Sequence, residues 1–395
     1  MKKVYVDNGS TSFPKAPGVS DAVKDYLDNA GYNINRGNYG GSYDVAMEVM
    51  EARQLLSDMF HTSNPKGVIF TPSVTYSLNI LLRGLLKKGD HVIATSMEHN
   101  SVMRPLHLLS KTGVMVDIVP CAADGSLEAD DIVPFAKKQT KAVVMLHASN
   151  VCGTVLPIES VAEICQNHGI SLIVDAAQTA GILEIDASPI DALAFAGHKG
   201  LMGPQGIGGF IIKKDFAEEI TPLIVGGTGS LSDKKEQPNF LPDKFESGTM
   251  NLPGIIGLKK AVEYIRSVGV KAIYEKEMTL ASAFISKING INGVRVIGKN
   301  VDRVAVVSLD FPNYDNAEIA AALGTKYGIM TRCGLHCAPA AHITLGTFPH
   351  GTVRFSFGYF NTMDEVEYIA RSIKEILAHS TIQTLIPPGL RLPQA

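Results

Sequence analysis

The sequence lacks several features that would place a protein in a special class. It has no tryptophan and only five cysteines among 395 residues. So small and odd a number of cysteines argues against a disulfide framework and favours a reducing compartment, so we expect a cytoplasmic protein. The first ten residues contain two lysines but no apolar run behind them, so we expect no secretory signal peptide.

Excess charge of one sign and long apolar runs are also missing. Lysine and arginine number 36 and aspartate and glutamate 39, which gives a net charge of −3 without a basic block. The sequence therefore offers no electrostatic surface for a nucleic acid or an anionic membrane. No apolar run approaches the roughly 18 residues of a membrane span. With 45% hydrophobic and 19% charged residues, the composition is that of an ordinary globular protein.

Short apolar runs alternate with helical patterns between residues 65 and 215. Continuous apolar strands separated by helices are typical of an α/β fold, in which helices cover both faces of a mostly parallel sheet. The runs that we interpret as strands are 67–70, 91–94, 114–119, 142–146, 170–174, 192–195 and 207–212.

This alternation fades after residue 253, where helical stretches outnumber strand-like runs. We therefore predict a large domain at 15–255 and a smaller α+β domain formed by 1–14 and 256–380. The polar stretch 226–244 is predicted to be an exposed loop, and 381–395 an irregular tail. A further helix is predicted near 127–138.

Chemically useful side chains follow several of the predicted strands. Ligands bind at the carboxyl ends of parallel strands, which meet at one edge of the sheet. Asp175 follows an apolar run, and a carboxylate in that position needs a cationic partner unless it only caps a helix. Lys199 also follows a strand, with Gly197 and Gly200 close by. It is either a surface lysine on a turn or a desolvated amine that can form a Schiff base.

A hydroxyl-rich loop, 71–75, follows the first strand of the alternating region and opens a helix. Such a helix start can bind a phosphate, although, taken alone, the loop is better explained as a plain helix N-cap. An anion site, a carboxylate and an imine-forming lysine are together what pyridoxal phosphate requires. The residues thus point to that cofactor.

Several short motifs carry a more specific signal. They are DAAQ at 175–178, AGHK at 196–199, GPQGIG at 203–208, NVCGT at 150–154 and FESGT at 245–249. Together they resemble the class V aminotransferase group of fold-type I pyridoxal phosphate enzymes. The resemblance extends from residue 5 to about residue 379 and implies the two-domain α/β fold of that group.

The segment 332–339 reads RCGLHCAP. It is similar to the R-x-G-x-H-C-A loop of type II cysteine desulfurases and selenocysteine lyases. The chain departs from the usual pattern at Ala196, where serine is common, and at Asn35 and Leu335, where histidine is frequent.

The resemblance implies a role for each matching residue. Lys199 would hold pyridoxal phosphate through an imine and move protons, Asp175 would pair with the ring nitrogen, and Gln178 would bond the phenolic oxygen. His99 would stack on the ring and assist proton transfer. The other residues implied to bind the cofactor are Val74, Thr75, His198 and Asn150, with Thr249 reaching the phosphate of a neighbouring subunit in a homodimer.

The implied reaction converts L-cysteine to L-alanine and leaves a persulfide on Cys337. A thiolate is the nucleophile, and we expect cations such as Arg332 or His336 to favour it. The alternative for Cys337 is a small buried hydrophobe. A protein that accepts the sulfur is an implied partner. The residues expected to bind the amino-acid substrate are Arg354, Asn150, Arg332 and Asn35.

Several alternatives stay open. Selenocysteine lysis, β-elimination or transamination could use the same cofactor site, and a pyridoxal phosphate-binding regulator or sulfur-transfer scaffold would be the non-enzyme case. A dinucleotide-binding enzyme is disfavoured, because the glycines at 203–208 do not form G-x-G-x-x-G. We expect no metal, since the spacing of the possible ligands does not match a common zinc pattern. Those residues are Cys333, His336, Cys337, His342 and His350.

Overall fold

The structure is a computed structural model that describes residues 2–34, 37, 39–298 and 301–378. The candidate residue Asn35 and the predicted tail 381–395 lie outside the described residues.

The strands are β1 Val4–Tyr5, β2 Val68–Thr71, β3 His91–Thr95, β4 Met115–Val119, β5 Thr140–Leu146, β6 Ser171–Asp175, β7 Ala192–Ala196, β8 Gly208–Ile212, β9 Arg295–Ile297, β10 Val306–Asp310, β11 Ile329–Met330, β12 Arg332–Gly334 and β13 Thr352–Ser356. The helices are α1 Val19–Asn29, α2 Gly40–Met59, α3 Val74–Leu85, α4 Asn100–Ser110, α5 Ile158–His168, α6 Lys214–Glu219, α7 Leu252–Val268, α8 Val270–Ile288, α9 Asn316–Tyr327, α10 Pro339–Thr344 and α11 Met363–Ala378.

A seven-stranded sheet forms the centre of the larger part of the molecule. Its strand order is β2-β8-β7-β6-β5-β3-β4, and all neighbours are parallel except β8, which is antiparallel to β2 and β7. Successive residues of β3 enter opposite layers, with Ile93 in one apolar cluster and Val92 and Ala94 in the other. Both faces are therefore covered, which explains the continuous apolar runs and confirms the predicted α/β class.

The predicted helix near 127–138 is wrong in type. Residues Ala129–Phe135 form a 3₁₀ segment, in which only Ile132 is buried. Pro134 lies within it and has no N–H to donate, which removes one of the few hydrogen bonds that could hold so short a segment as an α-helix. The stretch 226–244, in contrast, contains neither helix nor strand, as predicted.

A second, four-stranded sheet has the order β12-β13-β10-β9, and its paired strands are antiparallel. An apolar cluster beneath it joins Val4 and Val6, from the start of the chain, to residues of α8, α9 and α11. We propose on this basis that the first residues belong to the smaller domain. Helix α7, in contrast, packs against α1 and α2 of the larger part.

The small sheet also places two arginines together. Arg332 in β12 lies directly opposite Arg354 in β13 in the register of the pair. The sheet thus presents both guanidinium groups to the edge of the large sheet. Throughout the part of the chain that is described, no helix combines the length and apolar character needed to cross a bilayer.

A buried ion pair fixes the segment 245–249 to the large domain. Arg53 donates to both carboxylate oxygens of Glu246, at 2.9 and 2.6 Å. Glu246 also accepts from the backbone N–H of Phe70 at 2.7 Å, and the side chains of the ion pair are 3% and 4% exposed. This carboxylate therefore ties α2, β2 and the segment that carries Thr249.

We expect the substitution Glu246→Gln to lower the free energy of unfolding by about 3 kcal/mol, because Arg53 would keep a buried charge without a counter-ion. The matched control is Glu219→Gln, which removes an exposed pair with Lys141 and should change stability by less than about 1 kcal/mol. Denaturant unfolding followed by circular dichroism measures both values. Equal losses in the two variants would show that the buried pair is no more important than a surface pair.

Candidate active site

The ends of β6 and β7 bring a carboxylate and an amine to one edge of the large sheet. Asp175, the last residue of β6, is 5% exposed and accepts from the N–H of Ala177 at 2.9 Å. Burial raises the pKa of Asp175, and the positive charge of Lys199 opposes that rise. The carboxylate is therefore poised to face a cation, as the sequence predicts.

The amine of Lys199 is desolvated. Burial lowers its pKa to about 8, against the opposing effect of Asp175, and the charges of Arg354 and Arg332 lower it further. An ordinary lysine is almost wholly protonated at pH 8, whereas this amine is close to half neutral. Only the neutral amine attacks a carbonyl carbon, so the site presents a nucleophile near neutral pH.

His99 is both a site residue and the N-cap of α4. Its Nδ1 accepts from the N–H of Ser101 at 3.0 Å, which fixes the imidazole at the helix start. Burial, followed by the charge of Lys199, lowers the pKa of His99 to about 4, so the ring is neutral. Ser101 Oγ lies 2.8 Å from the same nitrogen and donates to Asp175 at 3.4 Å.

Residues 9–15 hold the backbone and side chains around the lysine. Gln178 donates from Nε2 to the carbonyl of Gly9 at 3.0 Å. The carbonyl of His198, whose peptide bond leads into Lys199, accepts from the N–H of Ser12 at 2.9 Å and from Lys15 Nζ at 3.1 Å. The ring Nδ1 of His198 is buried without a partner. It is a polar atom that a bound group could satisfy.

The residues expected to bind phosphate lie at two separate places. Val74 and Thr75 form the first turn of α3, which Ser73 caps by accepting from the N–H of Tyr76 at 3.4 Å. This turn starts directly beyond β2, at the same sheet edge as Lys199. Thr249 is exposed, on the segment anchored by Glu246. The phosphate role of these residues remains a prediction.

Arg354 and Asn150 meet in the floor of the site. Arg354 is fully buried and donates from Nη1 to the carbonyl of Asn150 at 2.9 Å. Its second amino group donates to Asp7 Oδ1 at 2.7 Å. Burial lowers the pKa of Arg354, and Asp7 opposes this most strongly. The side-chain oxygen of Asn150 is buried and without a partner, so it too can receive a bound group.

Cys337 is an exposed residue between the buried His336 and Ala338, on a loop whose backbone has an unusual conformation. His336 and Cys337 have φ values of 48° and 59°, in the left-handed region that such residues seldom adopt. Two donors clamp the loop: Asn150 Nδ2 to the carbonyl of His336, and the N–H of Asn100 to the carbonyl of Cys337, both at 2.8 Å. Because Cys337 is exposed, the alternative of a small buried hydrophobe is wrong.

Of the two cations expected near the thiol, the structure provides one. Arg332 Nη2 donates to Cys337 Sγ at 3.3 Å. The expectation for His336 is wrong, because its buried ring bonds Thr352 at 3.0 Å and burial lowers its pKa to about 2, which keeps it neutral. Of the two expected cations, Arg332 is therefore the one in hydrogen-bond contact with the Cys337 thiol.

The neighbouring Cys333 does not take part in the site. It packs against the apolar cluster of the small domain, and burial raises its pKa. Strand alternation places it on the face opposite Arg332. Among the residues that the structure describes, no three histidine, cysteine or acidic side chains are grouped as a metal site requires.

Sequence reasoning missed Asp7, Ser10 and Ser101. Asp7 and Ser10 bond Arg354, while Ser101 joins His99 to Asp175. Ser101 lies two residues after His99, the N-cap of α4, so its place in the first turn of that helix could have been predicted from the sequence. Nothing local in the sequence indicates that Asp7 faces an arginine 347 positions away.

Comparison with known proteins agrees with this architecture. The sequence matches the family described as Aminotransferase class-V over residues 4–369. The chain belongs to this family, which confirms the resemblance drawn from its motifs.

The similarity to individual relatives is more specific. A probable cysteine desulfurase of Methanothermobacter thermautotrophicus is 32% identical over 381 residues, which cover 94% of each chain. Another of Halobacterium salinarum is 33% identical and covers 94% of this chain and 91% of its own. The solved apo structure of a cysteine desulfurase from Thermococcus onnurineus has a TM-score of 0.89 and 31% identity, with 95% of both chains covered.

Acetic anhydride reacts with neutral amines. The low pKa of Lys199 therefore predicts the pH range over which this reagent labels it. In protein prepared without bound cofactor, we expect the labelling of Lys199 to rise with a midpoint near pH 8. In the variant Arg332→Met the midpoint should move up, because the arginine charge lowers the pKa of this amine. Peptide mass spectrometry over a pH series measures both.

Lys15 is the internal control for this titration. Its pKa is also lowered to about 8, but by burial alone, so the Arg332→Met substitution should leave its midpoint unchanged. A Lys199 midpoint near that of a free lysine, above pH 10, would contradict the desolvated amine.

Proposed function

We propose that this chain is a pyridoxal phosphate-dependent cysteine desulfurase, which converts L-cysteine to L-alanine and leaves a persulfide on Cys337. One observation carries the proposal: a single arginine interacts with both reactive groups. The charge of Arg332 contributes to the low pKa of the Lys199 amine, and its Nη2 donates a hydrogen bond to the exposed thiol of Cys337. Relatives named cysteine desulfurase, about 30% identical over nearly the whole chain, support it.

The residues of the site fit pyridoxal phosphate. Asp175 offers a buried carboxylate for the ring nitrogen, and Lys199 a partly neutral amine for the aldehyde. His198 Nδ1 is a buried polar atom in need of a partner, and the free N–H groups at the start of α3 suit a phosphate. His99, being neutral, can lie against a ring without bringing a positive charge to it.

When bound, pyridoxal phosphate supplies an electron sink that makes the substrate Cα proton acidic and the bond at Cβ labile. Arg354 binds the α-carboxylate of the substrate, with Asn150 beside it. Lys199 takes up the Cα proton as the neutral amine and delivers it again. This role uses its low pKa, because an amine with pKa near 8 both accepts and returns a proton close to neutrality.

Cys337 then attacks the sulfur of the substrate. The Cβ–S bond of the substrate breaks, an S–S bond forms on Cys337, and Cβ takes up a proton to give alanine. The reaction needs no external oxidant or reductant, since cysteine and one thiol yield alanine and one persulfide. The exposure of Cys337 fits the later transfer of sulfur to an acceptor protein. All five cysteines are free, which fits a reducing compartment such as the cytoplasm.

The substitution Cys337→Ala tests the persulfide step. We expect it to lower sulfide release from L-cysteine about a hundredfold or more, because the nucleophile is absent, while the cofactor absorbance stays unchanged. Cys333→Ala is the matched control and should retain activity, since that thiol faces the small-domain core. Sulfide, selenide, alanine and pyruvate are measured with cysteine, selenocysteine and a panel of other amino acids.

The outcomes separate the alternatives. Full sulfide release by Cys337→Ala would overturn the persulfide proposal. Turnover of selenocysteine but not of cysteine by the unmodified protein would identify a selenocysteine lyase, and pyruvate in place of alanine a β-elimination. Conversion of the cofactor to its amine form with release of a keto acid would identify an aminotransferase. Cofactor absorbance without turnover of any amino acid would favour a regulator or scaffold.

We also propose that two copies form the active dimer. Tyr43, Met47 and Met50 follow each other on α2 at a spacing of four and three residues, and all are exposed. They therefore form one apolar face on the helix. Tyr76, beside the candidate phosphate residue Thr75, is exposed as well. A second copy covering this surface would bring its own Thr249 toward the site, as the resemblance implies.

We expect Met47→Glu to convert the dimer to a monomer, because it buries a charge in an apolar interface. Loss of the dimer should weaken cofactor binding, since Thr249 of the second copy is withdrawn. Light scattering and cofactor titration measure the two effects. The control Met363→Glu changes an exposed methionine at the start of α11 and should leave both unchanged. A dimer that persists in Met47→Glu would place the interface elsewhere.

A further inference from the structure

Three of the five N–H hydrogens of the Arg354 guanidinium are directed to acceptors within the protein. One hydrogen of Nη1 is directed to the carbonyl of Asn150 at 2.9 Å. Both hydrogens of Nη2 are used, one by Asp7 Oδ1 at 2.7 Å and one by Ser10 Oγ at 2.8 Å. Nε is buried and without a partner.

This assignment restricts how Arg354 can hold another carboxylate. A guanidinium binds a carboxylate through two parallel N–H groups, either Nη1 with Nη2 or Nε with Nη2. Both edges include Nη2, and neither hydrogen of Nη2 is free. A substrate that is bound in two hydrogen bonds must therefore displace Asp7 or Ser10.

We propose that Asp7, together with Ser10, is a placeholder for the substrate α-carboxylate, which amino-acid binding must displace from Arg354. This inference rests on the proposed function in so far as Arg354 is the carboxylate-binding residue. It makes the pair a specificity device: a ligand with an α-carboxylate can replace the internal one, whereas an amine without a carboxylate gains nothing from Arg354.

The surroundings allow the exchange. The side chain of Arg354 is 1% exposed and that of Asp7 21%, so the carboxylate of Asp7 can turn toward water while the guanidinium stays in place. Gly9, which lies between Asp7 and Ser10 in the sequence, is packed against Arg354. A Cβ added at Gly9 would lie 3.3 Å from both Cζ and Nη2 of the arginine, closer than ordinary contact. Glycine thus allows the backbone to pass directly beside the guanidinium.

The same hydroxyl connects this exchange to the reactive cysteine. Ser10 Oγ donates to Asp7 at 2.8 Å and accepts from Arg332 Nη1 at 3.2 Å. The other amino group of Arg332 donates to Cys337 Sγ. A movement of Ser10 away from Arg354 would therefore also move a hydrogen-bond partner of the arginine that contacts the sulfur. Binding of the carboxylate at Arg354 would in this way alter the hydrogen-bond surroundings of the Cys337 thiol.

The placeholder lowers the apparent affinity for any carboxylate, because only the fraction of molecules with Nη2 released is competent to bind. Asn in place of Asp7 keeps a hydrogen-bond acceptor but loses the charge, so it competes less strongly. We expect Asp7→Asn to bind propionate and L-alanine about tenfold more tightly. Ser10→Ala, which keeps the counter-ion of Arg354 and so its folding, should give a smaller change in the same direction.

The test measures two dissociation constants for the cofactor-loaded protein and each variant. Propionate is followed by ligand-observed NMR, and L-alanine by the change in cofactor absorbance. Neither probe contains sulfur, so both constants can be determined even where the protein releases no sulfide from cysteine and the proposed function fails. Cysteamine, which has the amine and thiol of cysteine without the carboxylate, serves as the negative ligand. Asp28→Asn, at an exposed ion pair on α1, is the control variant.

Tighter propionate and L-alanine binding in Asp7→Asn and Ser10→Ala, with cysteamine and the control variant unchanged, would support the placeholder. Unchanged or weaker binding in both variants would overturn it and make Asp7 a residue that only orients Arg354. Tighter binding of cysteamine to the same extent would also overturn it, because the gain would not depend on a carboxylate. Should Asp7→Asn fail to fold, Ser10→Ala decides the question.

Discussion

Burial of opposite charges at one edge of a parallel sheet is the constraint on which the site depends. Lys199 and Asp175 leave neighbouring strands where the backbone is surrounded by apolar layers, so each charge loses most of its hydration. The opposite charge of each group offsets part of the other's desolvation cost. For Lys199 the effect of burial on the pKa exceeds the effect of Asp175, so the amine is partly neutral near pH 8. The Lys199 amine is reactive because the charge of Asp175 compensates only part of its desolvation.

The small domain contributes what the large sheet lacks. Its strands β12 and β13 carry Arg332 and Arg354 side by side, and the loop after β12 carries Cys337. Asn150 and the start of α4 hold that loop by its carbonyls, so the thiol is positioned by the large domain although it belongs to the small one. Contacts between the two parts of the molecule therefore place the thiol at the same sheet edge as the amine.

The first residues of the chain connect these parts. Asp7 and Ser10 bond the arginines, Gly9 bonds Gln178, and Ser12 and Lys15 bond the peptide that leads into the lysine. A segment of fewer than ten residues thus contacts residues of the proposed carboxylate site, residues of the proposed cofactor site and the backbone that leads into Lys199. An exchange of partners at Arg354 would reach all three, because their hydrogen bonds share one piece of backbone.

The sequence by itself determined the α/β class and the strand-end positions of Asp175 and Lys199, because continuous apolar runs and their alternation with helical patterns are local properties. Its motifs also indicated the family and the loop of Cys337. The 3₁₀ form of Ala129–Phe135, the neutral state of His336 and the partners of Arg354 were decided only by the tertiary structure. Burial and long-range pairing set them, and neither the desolvation of a ring nor a contact between residues 7 and 354 is encoded in the residues adjacent to them.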